Sequence, residues 1–496
     1  MGLLMLLQLS ILFVWIYRAA LAYSIMWLLD LFAFILAIYV INRDEDVSYK
    51  LCWCFLIFAF PIFGGMLYVL CAGRKMPKKL ANGTIEADAR MRGLLKQDEE
   101  VMNQLREVSP QSVKLFSSGL SMSGFPVYNH TSSVYFDSGE EFFPVFCEEL
   151  RKAEKFIFLE YYQITPGKAW DEVLSILKEK VAEGVEVKLI YDDWGCMISL
   201  PPHYDRTLNE YGIETYKFNR MRPALIVTMN NRDHRKICVI DNKVGFTGGL
   251  NLADEYMNFI SRFGYWRDSA MMIKGDAVRS LTVMFLGMYS YLRHDDIKMD
   301  YSRYVEPYEE AGEEGCFYQP FSDTPTDAVE LGLTNHLNLV AAASRYIYID
   351  TPYLIINSDM MTALCQCAQS GVDVRILTPH IPDKKPVFAM TRSNYRKLIR
   401  RGVRIYEYTP GFNHRKNIVC DDELCLVGSV NTDYRSYYLQ FEAGVLMRNP
   451  SLAEELRQSF EKGLAESQEI TLADCNKTPL LVRMFRGILN VIAPFF

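Results

Sequence analysis

Apolar residues crowd the start of the 496-residue chain and then fall into shorter, regularly spaced runs. Residues 1–17 are almost uninterrupted apolar, and Arg18 breaks the run. A second stretch, Ala19–Ile41, carries one charge, Asp30. A polar loop, Asn42–Lys50, separates it from a third, Leu51–Cys71. The latter two are long enough to cross a bilayer, and the first is marginal unless it continues past Arg18. Pro61, Gly64 and Gly65 inside the third are tolerable in a membrane helix. A cleaved leader is the alternative for the first run, which lacks the basic start such leaders carry. Arg74, Lys75, Lys78 and Lys79 follow at once. By the positive-inside rule they place this end, and the remainder of the chain, in the cytoplasm. Arg43 and Lys50 would then lie outside in a three-span arrangement. The expectation is a multi-pass anchor in the cell membrane over residues 1–75, with two or three transmembrane helices.

Residues 76–112 are polar and charged, with Ile85, Ala89, Leu94 and Leu95 at helical spacing, and read as a linker helix. From Val113 onward the pattern is internally repeated. AEKFIFLEYY (Ala153–Tyr162) matches ASRYIYIDTPY (Ala343–Tyr353), and EGVEVKLIYD (Glu183–Asp192) matches SGVDVRILTP (Ser370–Pro379). YGIETYKF (Tyr211–Phe218) matches RGVRIYEY (Arg401–Tyr408). Continuous apolar strands alternating with helical segments imply an α/β protein of two similar halves, residues 113–300 and 301–475. The last segment, 476–496, places Leu480, Leu481, Met484, Phe485, Ile488, Leu489 and Ile492 at helical spacing. Lys477, Arg483 and Arg486 stand between them. That is the pattern of an amphipathic helix on an anionic membrane surface; the plainer alternative is a last helix packed on the core.

Each half ends in the same short pattern. HRKICVID carries His234, Lys236 and Asp241, and HRKNIVCD carries His414, Lys416 and Asp421, both of the form H-x-K-x4-D. At matching spacing follow Gly248, Gly249 and Asn251 in the first half, and Gly428, Ser429 and Asn431 in the second. The intervening residues are mostly β-branched, so both copies read as buried strands. A His and a Lys two residues apart on a strand point the same way. Two such halves facing each other bring two His/Lys pairs into one site, and neither half alone holds the full chemistry.

Histidine suits nucleophilic attack on phosphorus near neutral pH. One His takes the phosphoryl group, and the other protonates the leaving oxygen and later activates the incoming alcohol. Lys236, Lys416, Asn251, Asn431 and Ser429 are candidates to hold the phosphate oxygens. A carboxylate on the far ring nitrogen fixes the tautomer, and Asp268 and Glu442 are placed for that; Asp241 and Asp421 are better suited to orienting the motif backbone than to reacting. Built-in cations leave no need for a metal or cofactor. Twelve Cys are scattered without metal-ligand spacing and read as reduced. The net charge of -7 argues against nucleic-acid binding through a bulk positive field.

The doubled pattern resembles the HKD motif of the phospholipase D superfamily, and within it the chain is similar to bacterial cardiolipin synthases over nearly its whole length. The resemblance is carried by Ile41–Leu70, SGEEFF (Ser138–Phe143), FLEYY (Phe158–Tyr162), NNRDHRKICVID (Asn230–Asp241), FTGGLNLADEY (Phe246–Tyr256) and YWRD (Tyr265–Asp268). In the second half it is carried by QPFSDTPTD (Gln319–Asp327), TPYLI (Thr351–Ile355), IPDKKPVF (Ile381–Phe388), YEYTPGFNHRK (Tyr406–Lys416) and VGSVNTDYRS (Val427–Ser436). It implies two pseudo-symmetric α/β/α domains facing a shared site behind N-terminal transmembrane helices. It also implies transfer of a phosphatidyl group between two phosphatidylglycerol molecules, giving cardiolipin and glycerol. His234 is then the expected nucleophile and His414 the acid/base, with the reverse assignment open by symmetry. Arg220, Arg222, Arg232, Arg392, Arg396 and Lys397 are candidates for anionic headgroups. Arg415 and Asn417 depart from the family pattern beside the second motif and are expected to bear on acceptor preference. The alternatives are hydrolytic phospholipase D activity and transfer to another alcohol. A nuclease and a non-catalytic scaffold fit less well, and oligomeric state is not legible.

Overall fold

The computed structural model describes residues 26–43, 45, 47–71, 78–220, 230–294, 300–308, 310–327 and 329–493, together with Ser10. The first apolar run, Arg18, Arg74, Lys75 and Arg222 lie outside the described residues.

Two compact units emerge. In the described part of the smaller one, residues 26–41, Val47–Ala59 and Pro61–Cys71 are helical. Ala33, Ala37, Val40, Tyr49, Trp53, Ile57 and Tyr68 pack together, with the Trp53 and Tyr68 rings edge to face at 5.3 Å. The outward positions are equally apolar: Trp27, Phe34, Ile35, Leu51, Phe55, Phe63 and Val69 are all exposed. The third apolar stretch, expected as one span, is divided at Phe60. Pro61 has no N–H to donate and opens a new helix instead of continuing the old one. Among the described residues, no helix is long and apolar enough to cross a membrane.

The larger unit is built on two sheets. The first half supplies β1 (Thr131–Phe136), β2 (Phe156–Tyr161), β3 (Glu186–Asp192), β4 (Glu214–Phe218), β5 (Arg232–Asp233), β6 (Lys236–Ile240), β7 (Val244–Gly248), β8 (Tyr265–Arg267) and β9 (Ala270–Gly275). The second supplies β10 (Phe317–Asp323), β11 (Tyr346–Asp350), β12 (Leu354–Ile355), β13 (Asp373–Pro379), β14 (Arg404–Tyr408), β15 (Gly411–Asn413), β16 (Asn417–Cys420), β17 (Leu424–Gly428), β18 (Thr432–Asp433), β19 (Gln440–Arg448) and β20 (Ser467–Ile470). The first sheet runs β1-β9-β7-β6-β2-β3-β4, and the second repeats it as β10-β19-β17-β16-β11-β13-β14, with β20 on its edge. In each, two parallel pairings give way to antiparallel ones where the motif strand enters, β6 against β2 and β16 against β11.

The strands at the centre are buried on both faces, which is why their sequences read as unbroken apolar runs. One core layer joins the halves. It holds Phe158, Val239 and Ile273 from the first sheet, Val419, Val427 and Val445 from the second, and the helix Val278–Arg293, buried nearly all round. Separate clusters under the outer helices complete each half. The segment expected to link is packed into this body: Met91, Leu95, Val101, Met102 and Leu105 are buried along the helices Lys78–Arg92 and Glu99–Val108 and the turn between them. Their apolar stripe has a tertiary partner, and Arg90 donates to Ser290 on the buried helix.

Candidate active site

The last residue of each H-x-K-x4-D pattern explains how the motif strand is hung. Asp241 and Asp421 sit at the strand ends with φ of 53° and 59°, a left-handed backbone that Asp tolerates better than most residues. The Asp241 carboxylate accepts from the backbone N–H groups of Glu154, Lys155 and Phe156 at 2.8, 2.7 and 2.8 Å. Asp421 accepts from Ser344, Arg345 and Tyr346 N–H at 2.7, 2.8 and 2.9 Å. Each Asp therefore ties the end of its motif strand to the start of the neighbouring parallel strand, β2 or β11, far from the histidine. These bonds hold the Asp421 carboxylate below its ordinary range against the opposing effect of burial.

At the other end of the motif the two halves exchange strands. β5, just before His234, pairs in parallel with the first residues of β19, and β15, just before His414, pairs in parallel with β8. The His234 N–H donates to Phe441 O at 2.9 Å, and the His414 N–H to Arg267 O at 2.7 Å. The two carboxylates are consequently crossed. His234 Nδ1 lies 3.0 Å from both oxygens of Glu442 in the second half, and His414 Nδ1 lies 2.6 Å from Asp268 Oδ2 in the first. An ionised carboxylate only accepts, so Nδ1 carries the proton and Nε2 is left with its lone pair. Both Asp268 and Glu442 are fully buried, while each histidine keeps 7% of its surface.

The lysines stand beside their histidines. Lys236 Nζ donates to His234 O, Lys416 Nζ donates to His414 O, and Lys416 Nζ lies 2.8 Å from His414 Nδ1. All four groups are taken from water, which disfavours their charged forms. Burial, then the fields of Lys236 and Lys416, hold the His234 imidazole well below its usual range. Burial and Lys416 bring His414 to about 4. Burial lowers Lys236 to about 7 and Lys416 to about 8 despite Glu442 and Asp268. Glu442 is raised by burial to about 7, with Lys236 and Ser429 opposing. Asp268 is held low because Lys416 and His414 outweigh its burial. Aromatic walls close the site: the Tyr162 ring meets His234 at 5.2 Å, and Tyr256 and Trp266 meet His414 at 5.5 and 5.2 Å.

The expected phosphate ligands fare differently. Asn431 Oδ1 is buried with no hydrogen-bond partner; as an acceptor it suits a ligand hydroxyl, and only the amide N–H groups could donate to a phosphate oxygen. Asn251 is engaged: its amide donates to Tyr256 Oη at 2.7 Å and its oxygen accepts from Gln163 N at 3.2 Å. The Ser429 hydroxyl donates to Glu442 and accepts from Ala443 N at 3.0 Å, so it serves the carboxylate that orients His234 and not a phosphate. Gly249 holds the equivalent position in the first half for a steric reason. A Cβ there would lie 2.1 Å from Asp268 Oδ1.

Of the cationic candidates, Arg232 pairs with Asp192 at 3.6 Å and is buried, and Arg392 makes a two-pronged pair with Glu407 at 2.7 and 2.6 Å. Arg220, Arg396 and Lys397 are exposed. Arg415 and Asn417 are interior ties between the halves rather than acceptor contacts. Arg415 pairs with Asp137 at 2.7 Å and donates to Ser459, and Asn417 donates to Tyr135 Oη at 2.9 Å. Sequence reasoning missed the crossing of the carboxylates and the walls Tyr162, Tyr256 and Trp266. All three aromatics lie inside stretches that carried the resemblance, but nothing local marks them as neighbours of a histidine.

The family model described as "Cardiolipin synthase, PLD-like domain" matches residues 146–274 and 337–464, one copy per half. A second, "Phospholipase_D-nuclease N-terminal", matches residues 28–72. A cardiolipin synthase of Alkalihalophilus pseudofirmus is 30% identical over 461 residues, covering 92% of this chain and 91% of that protein. Cardiolipin synthase 2 of Bacillus anthracis is 31% identical over 463 residues, with 93% and 90% covered. An uncharacterised protein of Streptococcus mutans is 37% identical over 461 residues, with 92% and 98% covered. The crystal structure of a phosphatidylserine synthase from Haemophilus influenzae shares the fold, with a TM-score of 0.60 at 14% identity over 78% of this chain and all of that one. With both copies of the domain matched and the relatives aligned almost end to end, the chain belongs to the cardiolipin synthase family of the phospholipase D superfamily.

Proposed function

We infer that the chain is a cardiolipin synthase, a phosphatidyltransferase that joins two phosphatidylglycerol molecules and releases glycerol. The observation that carries this reading is the crossed pair of carboxylate–histidine units, each with its lysine, in one buried site. The reaction then runs in two balanced steps. His234 Nε2 attacks the phosphorus of the first phosphatidylglycerol, and the bond from phosphorus to the glycerol headgroup oxygen breaks. Protonated His414 gives that oxygen its proton, and glycerol leaves. Neutral His414 next takes the proton from a headgroup hydroxyl of the second phosphatidylglycerol, whose oxygen attacks phosphorus and breaks the P–N bond. Cardiolipin leaves and both histidines return to their starting states. Binding of an anionic phosphate between Lys236 and Lys416 offsets the field that keeps the imidazoles neutral, so protonation of His414 accompanies substrate binding. His234 is assigned as nucleophile because burial, then Lys236 and Lys416, keep its imidazole unprotonated, whereas Asp268 opposes the same effects at His414. Asn431, donating through its amide N–H groups, and the two lysines hold the substrate phosphate; Asn251 and Ser429 position their neighbours.

The N-terminal unit is the membrane anchor in this reading. Its outward faces are as apolar as its core, as expected of a body whose solvent is lipid. The sequence favours a multi-pass arrangement with the two-sheet unit in the cytoplasm, and the boundaries 1–75, 76–112, 113–300, 301–475 and 476–496 describe the functional division. The helix Leu480–Val491 lies on the membrane surface: Leu480, Leu481, Met484, Phe485 and Ile488 are exposed along one side. Labelled phosphatidylglycerol in vesicles with the full chain tests the reaction. Cardiolipin and glycerol in equal amounts are expected from the wild type and neither from His414→Ala. Phosphatidic acid as the main product would make water the acceptor and refute the transferase.

A further inference from the structure

The turn after β3 carries apolar side chains that the fold leaves uncovered. Ile198 is 94% exposed, Met197 49% and Trp194 46%. An unanchored apolar tip would fold back onto the surface, but here the stem beneath it is held rigidly. Asp192 accepts from Trp194 N and Gly195 N at 2.9 and 3.0 Å. Cys196 is buried with its sulfur 3.2 Å from Ile164 N, and the Ser199 hydroxyl donates to Ile164 O at 2.7 Å. Gly195 sits so close to Tyr162 that a Cβ would lie 2.1 Å from its carbonyl oxygen. The Arg232 guanidinium lies over the Trp194 ring at 5.6 Å.

The same stem touches the catalytic pocket. Asp192 also accepts from Asp233 N at 3.0 Å, one residue before His234, and Tyr162 forms the wall against the His234 ring. The turn leaves β3 at the end of the sheet where β2 delivers Tyr161 beside Lys236. Its tip therefore projects from the edge at which a substrate reaches His234. Among the residues that follow, Arg206 is exposed, and Arg220 is exposed but lies 3.6 Å from the Asp205 carboxylate.

We propose that Trp194, Met197 and Ile198 form an interfacial anchor that dips into the bilayer and seats the His234 side of the site against its lipid substrate. The occupant is the bilayer and not a protein, because a lipid substrate brings the membrane to this edge, and because the tip pairs a Trp, with the Arg232 guanidinium over its ring, with aliphatic side chains, the composition favoured at the membrane interface. This rests on the reading of the chain as an enzyme of membrane phosphatidylglycerol.

The test uses the full chain and a Met197→Glu/Ile198→Glu variant, reconstituted in vesicles of phosphatidylglycerol and phosphatidylethanolamine at a 1:1 ratio. The apparent KM for vesicle phosphatidylglycerol is expected to rise about tenfold, the scale of losing partial burial of one aliphatic side chain. Turnover of monomeric dihexanoyl-phosphatidylglycerol is expected to stay within about twofold, and Ile198→Trp to retain vesicle activity. Equal loss on both substrates, or no loss on either, overturns the anchor, as does restoration of vesicle activity by a second copy or a protein partner. A readout independent of turnover is the quenching of tryptophan emission by brominated acyl chains. It is expected to be weaker in Trp194→Phe than in the wild type, and equal quenching refutes insertion. If the wild type turns over neither lipid while quenching still depends on Trp194, the reading of function fails and the anchor stands.

Discussion

Gly249→Ala is a one-methyl change that reaches the opposite half of the site. The added Cβ would stand 2.1 Å from Asp268 Oδ1, where contacts below 3.0 Å are essentially never seen, so the carboxylate must retreat by about 1 Å. It cannot retreat freely. Its other oxygen accepts from His414 Nδ1 at 2.6 Å, and Oδ1 itself accepts from Ser269 N at 2.9 Å. The backbone cannot yield either, because Gly249 N donates to Ser269 O at 2.9 Å beside the β7–β9 ladder. The methyl therefore either overpacks the site, at about 1–3 kcal/mol of stability, or displaces the group that orients His414. A displacement of this size in a catalytic constellation costs about 100-fold in rate. The expected result is a folded enzyme, melting within a few degrees of the wild type, whose kcat for cardiolipin formation falls about 100-fold. The double variant Gly249→Ser/Asp268→Glu recreates the Ser429/Glu442 arrangement of the second half and is expected to recover at least about tenfold of the loss. A Gly249→Ala enzyme within about threefold of wild-type kcat would refute the steric coupling between position 249 and His414.

Asp421→Ala leaves three backbone N–H groups without their acceptor and forces Ala into a left-handed backbone. It is expected to cost about 3 kcal/mol in denaturant unfolding, with Asp421→Asn costing about half, and full stability in the alanine variant would sink the tie between β16 and β11. Ser429→Ala removes a donor from buried Glu442 and is expected to slow turnover about 10-fold without changing the product. The pH profile of kcat/KM is expected to fall as pH rises through about 7 to 8, where Lys236 and Lys416 lose their protons, and to persist on the acid side until the His234 nucleophile takes up a proton, well below the usual imidazole range. Lys236→Arg should carry the alkaline fall to higher pH, and a flat profile to pH 9 in the wild type would contradict it. Because the folded His414 binds its proton only near 4, the unfolded chain takes up protons first on acidification. Its contribution to stability is therefore lost between about 6.5 and 4 as pH falls, and a His414→Ala variant should lack that component in a pH series of melting curves.

What was legible in the sequence was whatever local patterning determines. The repeat marked the matching strands of the two halves because each apolar run is buried on both faces, and β2, β3 and β4 correspond to β11, β13 and β14 in sequence and in pairing. The two His/Lys pairs stand out by residue type and spacing; Asp268 and Glu442 were candidates for the far ring nitrogen, and each lies against a histidine Nδ1. Which carboxylate serves which histidine was not legible. That depends on the pairing of β5 with β19 and β15 with β8, ladders of two and three residues with no periodic signature. Ser429 read as a phosphate ligand because a hydroxyl beside the motif has no visible partner in sequence; the partner is Glu442, on the neighbouring strand β19. Arg232 and Arg392 read as headgroup contacts for the same reason, since Asp192 and Glu407 meet them only in three dimensions. The division of the third apolar stretch at Pro61 was a local effect, but a membrane helix tolerates Pro and the sequence left both outcomes available.

The crossed two-histidine centre is tested most directly by trapping its covalent intermediate. The full chain in vesicles is mixed with phosphatidylglycerol labelled at phosphorus, quenched in alkali where phosphohistidine survives, and digested for peptide mapping. Label on the peptide carrying His234, absent in His234→Ala and sharply reduced in Glu442→Gln, is expected. Label on His414 that Asp268→Asn abolishes would reverse the roles of the two halves, and no covalent label at any time point would contradict the phosphohistidine path.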